Sequence, residues 1–335
     1  MARPGLLVSA PRQLFESFFC PTERKRLDRA FTWERIEGGT ISREFRRKLQ
    51  TTDALITTWD SPRFDQKLPR MAPRLRIIAH CGGEVKSRFA PSLFNALTIT
   101  NAAAPMAGAT AEMGAALLLY CARNVDFYRA ALRKKSNRIY QQVHLHGAPE
   151  SMVGGTVAMI GFGRIGRALV DLLRGFEVNW LVHDPYANRA LARKYAIRFV
   201  GLKELLSRAH LLVLTAALTD ETRGILGRKD LAALPDGATV INVARGGLID
   251  LNALRKEVRS GRLRCALDVT DPVEPLNVND PLRTMPGAIV TPHIAGSGLH
   301  VRQEIACVVL DDLQEFFSGG KVANRVTTAM LERMT

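Results

Sequence analysis

Three side chains of different chemistry follow three consecutive apolar runs in the carboxyl-terminal half of the chain. The run Asn242-Val-Ala-Arg-Gly-Gly-Leu-Ile-Asp250 places Arg245 just past a strand, at the sheet end where open α/β folds hold their ligands. Ala266-Leu-Asp-Val-Thr-Asp-Pro-Val-Glu274-Pro-Leu276 puts Asp268 at a strand end and Glu274 in a proline-bounded loop. Thr291-Pro-His293-Ile-Ala-Gly296 then carries an imidazole out of the last strand. A cation in such a crevice can grip a carboxylate, and histidine is the side chain best suited to exchanging a proton near neutral pH. Singly, each has an ordinary reading as a surface charge, a solvated loop acid or a structural histidine. Their order, from consecutive strand ends, lets them converge.

A second motif precedes them. Val157 to Gly166 reads VAMIGFGRIG, an apolar strand running into Gly161-x-Gly163-x-x-Gly166 and then a helix. The strand before, the helix after and an acid downstream make this a physical unit rather than a chance glycine pattern. Gly161 permits the tight turn, Gly163 lets the backbone approach a pyrophosphate, and Gly166 lets the helix pack on the strand. The phosphates then lie at the positive end of the helix. Asp184 follows the next strand, 18 positions after Gly166, where its carboxylate can accept from ribose hydroxyls and repel a 2′-phosphate. NAD is therefore expected over NADP, with Arg189 near enough to soften the preference.

The elements that must position these groups alternate between short apolar strands and helical stretches, the rhythm of parallel α/β sheets. Strands are expected at 5–10, 54–59, 75–80 and 97–100, with a largely helical stretch at 11–31. A helix over 110–127 links two domains, and 129–153 forms a surface excursion without periodicity. Further strands fall at 157–160, 179–183, 211–215, 239–243, 264–268 and 288–290. A helix at 164–173 follows the glycine turn, and one over 299–317 returns the chain to the first domain. At 335 residues the chain exceeds the size of a single core. The expectation is two Rossmann-like doubly wound parallel-sheet domains: a flavodoxin-like substrate domain, 1–108 with 299–335, and an inserted NAD-binding domain, 109–298.

Composition constrains the setting. Forty-seven Lys and Arg against 32 Asp and Glu give a formal charge of +15. No basic stretch alternates with aromatic residues, so a scattered solvated surface is expected in place of nucleic-acid binding. The densest basic run, Arg129 to Arg138 with Arg133, Lys134 and Lys135, reads as the exposed end of a helix. Cys20, Cys81, Cys121, Cys265 and Cys307 form no CxxC or Cys/His cluster, so neither a disulfide framework nor a metal site is expected. The apolar cluster at Leu6 to Val8 is too short for a signal-peptide core, and no run suits a membrane span. A cytoplasmic, reducing location follows.

With GFGRIG, the stretch LTDETRGIL at 218–226, NVARGGLID, ALDVTDPVEPL and TPHIAG all in order, the sequence resembles the D-isomer-specific 2-hydroxyacid dehydrogenases. That family contains phosphoglycerate, glycerate, D-lactate and formate dehydrogenases. The resemblance is strong over 110–298 and holds in layout before it. It implies that Arg245 binds the substrate carboxylate and carbonyl oxygen, that His293 exchanges the proton, and that Glu274 holds His293. It further implies that Asp268 touches the nicotinamide amide and that Val243 and Ala244 line the cofactor. Thr110, Arg164, Ile165, Thr215, Ala216, Thr222, Ala295 and Gly296 complete the implied cofactor set. The implied reaction moves a hydride between NAD and a small D-2-hydroxy acid, which also requires an acid/base near the hydroxyl oxygen.

The sequence departs from the family in several places. Where relatives have Gly-x-Gly followed by Asp-Asn, this chain has Ala79-His-Cys-Gly-Gly-Glu-Val-Lys86, which leaves an amide cradle at Gly82, Gly83 and Glu84 with altered charge. His80 and Cys81 either face the substrate or end the strand, the second being the expected outcome. One extra residue separates Asp268 from Glu274, so Asp271 is an alternative partner for His293. Ala216 and Ala217 replace a proline, and a tryptophan common before the glycine-rich strand is missing. In the family that region helps form a dimer, so a homodimer is expected. Three rival readings stand beside the small keto acid: a phosphorylated substrate, an NADH-sensing corepressor or scaffold without catalysis, and, on charge alone, a nucleic-acid-binding protein with a vestigial cofactor fold.

Overall fold

The computed structural model describes residues 3–133, 137–146 and 151–334. It divides into two compact units, Met1–Met106 with Ser297–Thr335, and Ala107–Gly296. Lys134 and Lys135 of the basic run, and Gly147 and Pro149 of the excursion, lie outside the described residues.

The first unit is built on β1 (Gly5–Ser9), β2 (Thr32–Ile36), β3 (Ala54–Thr57), β4 (Ile77–His80) and β5 (Thr98–Asn101). All pair in parallel in the order β2-β1-β3-β4-β5, the doubly wound arrangement of flavodoxin-like folds. Successive strand residues point to opposite faces, and both faces are apolar here. Leu7, Leu55, Ile78 and Ile99 join one core cluster, while Leu6, Val8, Ile56 and Ile77 are buried in turn.

The second unit contains β6 (Thr156–Ile160), β7 (Asn179–His183), β8 (Ile197–Phe199), β9 (Leu211–Leu214), β10 (Thr239–Asn242), β11 (Arg264–Leu267) and β12 (Ala288–Val290). Their order is β12-β11-β10-β9-β6-β7-β8, all parallel. Ala158, Ile160, Leu212, Leu214 and Val240 belong to one core, and Val157, Met159, Val213 and Ile241 to the other. Strand order reverses between β6 and β9, so the switch point lies beside the glycine turn.

Several local expectations change. β2 and β8 escaped the sequence pattern because both are edge strands. β2 reads TWERI with polar residues on its exposed positions, and β8 has three residues. The stretch 11–31 is two helices, Arg12–Phe18 and Pro21–Ala30, because Cys20 is extended and Pro21 fits only at a helix start. The linking helix is Ala103–Ala122, and Asn124 in the left-handed region at φ 51° separates it from Val125–Leu132. The excursion holds part of that helix and a further one, Arg138–His146. Neither buries a residue, so no core-facing stripe announced them. Among the described residues no helix is long and apolar enough to cross a membrane, and no three His, Cys, Asp or Glu side chains are placed to hold a metal.

Candidate active site

The glycine turn after β6 is shaped by close approach. Gly161 has φ +92°, and a Cβ there would stand 2.4 Å from Cα of Ala216, which follows β9. Its amide donates to the His183 carbonyl at 2.9 Å, and its own carbonyl accepts from Thr215 Oγ1 at 2.6 Å. A Cβ on Gly166 would meet the Gly161 carbonyl at 2.8 Å, so the helix Arg164–Leu172 sits directly on the turn. Gly163, the residue capping that helix, faces open space. Among the described residues no side chain caps the first-turn amides, which leaves them for an anionic group.

Asp184 follows β7 and braces the same turn. Its Oδ2 accepts from the Phe162 amide at 2.7 Å and its Oδ1 from the Tyr186 amide at 2.9 Å. Arg189 stacks over the Phe199 ring at 4.6 Å, so its charge is parked on an aromatic face. The helix carrying Thr110 passes this sheet end: one turn further on, a Cβ on Gly114 would touch Val243 and Leu169. Thr222 donates to the Ala217 carbonyl at 2.6 Å and closes the loop after β9.

Arg245, Glu274 and His293 leave the ends of β10, β11 and β12, adjacent strands in the sheet. Asn242, fully buried, accepts from the Ala244 amide at 3.0 Å and donates to the Arg245 carbonyl at 2.8 Å, fixing the turn that presents Arg245. A Cβ on Gly246 would stand 2.1 Å from the Thr270 carbonyl carbon, so the turns after β10 and β11 are in contact. Glu274 Oε1 accepts from the Thr270 amide at 3.1 Å, and Glu274 Oε2 lies 2.9 Å from His293 Nδ1. Glu274, not the exposed Asp271, is the partner of His293.

The profile described as "D-isomer specific 2-hydroxyacid dehydrogenase, NAD binding domain" matches residues 115–295. The chain belongs to the D-isomer-specific 2-hydroxyacid dehydrogenase family. A glyoxylate reductase of Pyrococcus horikoshii is 31% identical over 82% of this chain and 82% of its own length. A D-3-phosphoglycerate dehydrogenase of Methanocaldococcus jannaschii is 28% identical over 87% of this chain but 55% of its own. The chain thus spans about half the length of some curated relatives it matches. Among solved structures, a Thermus thermophilus protein is 28% identical with a TM-score of 0.78, covering 96% of this chain and 100% of that one.

In this family member the electrostatics of the pair are reciprocal. The hydrogen bond to Glu274 raises His293 above its ordinary 6.5, against burial and the charge of Arg245. Burial works to raise Glu274, but the His293 ring, the Thr270 amide and the charges of His293 and Arg245 outweigh it and hold it below 4.5.

Two features of the site were not legible as motifs. His293 has φ 56°, a region that non-glycine residues seldom occupy, and Asp268 holds it there. The Asp268 carbonyl accepts from the His293 amide at 2.9 Å, while its carboxylate accepts from Thr291 Oγ1, the Ile294 amide and the Ala295 amide at 2.6–2.9 Å. Asp268 is 1% exposed and is the brace of the histidine loop. The second feature is the Asn242 clamp, for which the only sequence signal is an Asx residue at a strand-to-turn junction.

The Gly82–Glu84 segment belongs to the other unit and follows β4. The Gly82 amide donates to the His80 carbonyl, two residues back, at 2.9 Å. A Cβ on Gly82 would stand 2.6 Å from His80 Nε2 and 2.9 Å from Trp59 Nε1, so its small size is what the site uses. Among the described residues the amides of Gly83 and Glu84 have no hydrogen-bond partner. The Glu84 carboxylate folds back onto Ser87, accepting from its amide and hydroxyl at 2.7 Å. His80 and Cys81 end the strand: both are buried, and His80 Nδ1 is 2.9 Å from Thr57 Oγ1. Burial, with the charge of Arg88, lowers the His80 pKa to about 3.

Proposed function

We propose that this chain is an NAD-dependent oxidoreductase interconverting a small D-2-hydroxy acid and the corresponding 2-keto acid. The observation that carries the reading is the 2.9 Å contact of His293 with Glu274 beside Arg245, on the sheet that holds the glycine turn. The open face of Gly163 and the uncapped helix start suit a dinucleotide pyrophosphate, and Asp184 suits an unphosphorylated ribose, favouring NAD over NADP. NAD held there supplies the hydride acceptor, or donor in reduced form.

The remaining chemistry belongs to the side chains. Arg245 grips the substrate carboxylate and stabilises the C2 oxygen as negative charge develops on it. His293 Nε2 takes the hydroxyl proton during oxidation and returns it during reduction. Glu274 keeps the opposite ring nitrogen protonated and stabilises the imidazolium. Asp268 and Asn242 position these groups. A purely NADH-sensing role would leave the His293–Glu274 pair without a purpose.

The substrate we favour is glyoxylate-like or hydroxypyruvate-like, with a phosphoglycerate-like acid as the second reading. We also propose a homodimer. Val125–Leu132 and Arg138–His146 bury nothing in the protomer, and Phe127, Tyr140 and Leu145 are 54%, 67% and 73% exposed. Beside Val125–Leu132 opens a groove of about 1600 Å³ with Leu117, Met285 and Ile289 in its wall. A cytoplasmic location is part of this reading, with Cys81, Cys121 and Cys265 as free buried thiols. The test is a panel of glyoxylate, hydroxypyruvate and phosphohydroxypyruvate with NADH and NADPH, followed by loss of nicotinamide absorbance. Turnover with NADH on one of the small keto acids is expected; none on any of the three overturns the proposal.

A further inference from the structure

We propose that the first unit carries an anion site for a compact ligand with two phosphate groups, in a pocket to which the dehydrogenase chemistry assigns no role. The pocket has a volume of about 510 Å³, the size of a small-metabolite site, and its wall includes Arg46, Arg63, Lys67 and Lys86. Its single acid, Asp65, accepts from the Lys67 amide at 2.8 Å. Among the described residues none of the four cations has an ion-pair partner.

The cluster is built by the backbone. Arg63 follows β3 and Lys86 follows β4, and the two loops are stitched together: the Phe64 amide donates to the Arg88 carbonyl at 2.8 Å and the Ala90 amide to the Phe64 carbonyl at 2.9 Å. Arg88, also in the wall, donates to the Ser61 and Trp59 carbonyls and leaves its Nε buried without a partner. Burial lowers its basicity, with the charges of Glu84 and Asp60 opposing and that of Arg63 adding to the fall. An anion bound beside it favours the charged guanidinium.

The chemistry of the floor narrows the ligand. Phe64 and Phe89 stack at 5.9 Å, but each is 2% exposed and offers no face to a base. Recognition therefore rests on charge and on the forked arginine donors, which suit phosphate oxygens, and not on stacking as single-stranded nucleic acid requires.

Calorimetric titration of the full chain at low salt, with NADH saturating so that the glycine turn is filled, tests this. The probes are inorganic pyrophosphate and, separately, fructose 1,6-bisphosphate, which distinguish an inorganic from an organic source. Binding of at least one at one site per chain, tenfold or more tighter than inorganic phosphate, is expected. Arg63→Glu with Lys86→Glu weakens it at least tenfold, whereas the equal charge change Lys203→Glu with Lys321→Glu leaves it unchanged. Arg63→Gln with Lys86→Gln, checked by an unaltered melting midpoint, gives a loss of the same sign. Equal loss in both charge-reversed proteins, no preference over phosphate, or displacement of the probe by duplex DNA would each overturn the proposal.

Discussion

His293 Nδ1 lies 2.9 Å from Glu274 Oε2, and that one contact fixes which ring nitrogen is left for substrate. With Nδ1 held by the carboxylate, Nε2 is the proton-exchanging atom. Replacing His293 by Ala is expected to lower kcat about 10²–10⁴-fold, the usual worth of a positioned acid/base. NADH binding, followed by nicotinamide fluorescence, stays near wild type because the glycine turn is untouched. A variant that kept wild-type kcat would show that another group moves the proton.

Glu274→Gln separates positioning from proton transfer. The amide can still meet the ring but no longer stabilises its charge, so the His293 pKa falls from its raised position. Keto-acid reduction needs the imidazolium, so its alkaline limb moves to lower pH, with a rate loss smaller than that of His293→Ala. A pH profile of kcat/KM checks this, and an unmoved limb refutes the coupling. Stability follows the same shifts. The Glu274 contribution is complete above 4.5 and is lost as pH falls through its depressed value, while that of His293 is complete below 6.5 and is lost as pH rises through its raised value. Wild type should therefore gain most over Glu274→Gln between pH 4.5 and 6.5, measured by denaturant midpoints.

How much of this was legible depended on whether a residue acts through its own segment or through a distant one. The Gly161 turn, Asp184 and the strand ends carrying Arg245 and His293 are local patterns, and their strands were found because both faces of each sheet are apolar. The choice of Glu274 over Asp271 was open, because only the Thr270 amide and the His293 ring decide it. The left-handed backbone of His293 was hidden too, since its cause, Asp268, lies 25 residues earlier. The tight fit around Gly82 was hidden as well, since it answers to His80 and Trp59 packing, which no spacing encodes. The helix at 138–146 went unseen because helical pattern is a record of burial, and it buries nothing; at 125–132 helix was expected, but not the break at Asn124 that starts it anew.

Asp268→Asn tests the brace. An amide can replace one carboxylate oxygen, but its NH2 cannot accept from Thr291, Ile294 or Ala295, so at least one buried donor loses its partner. The expected cost is about 1–3 kcal/mol in urea unfolding, typical of an unsatisfied buried group. Because the same loop carries His293, kcat falls as well. Loss of kcat with unchanged stability would show that Asp268 acts on the cofactor and not through the loop.

Gly161→Ala addresses the other half of the site. A Cβ at this position would lie 2.4 Å from Cα and 2.5 Å from the amide nitrogen of Ala216, both main-chain atoms that cannot swing aside, and φ +92° is strained for alanine. The turn must open, moving the Phe162 amide off Asp184 and the Gly161 carbonyl off Thr215. A cost of about 1–3 kcal/mol is expected for the strained backbone. Weakened NADH binding should accompany it, because the amides at the helix start shift with the turn. Gly163→Ala is the matched control: its Cβ meets no protein atom within 4 Å, so stability should hold while NADH binding weakens. If Gly163→Ala bound NADH as tightly as wild type, the open face at that residue would not be where the pyrophosphate lies.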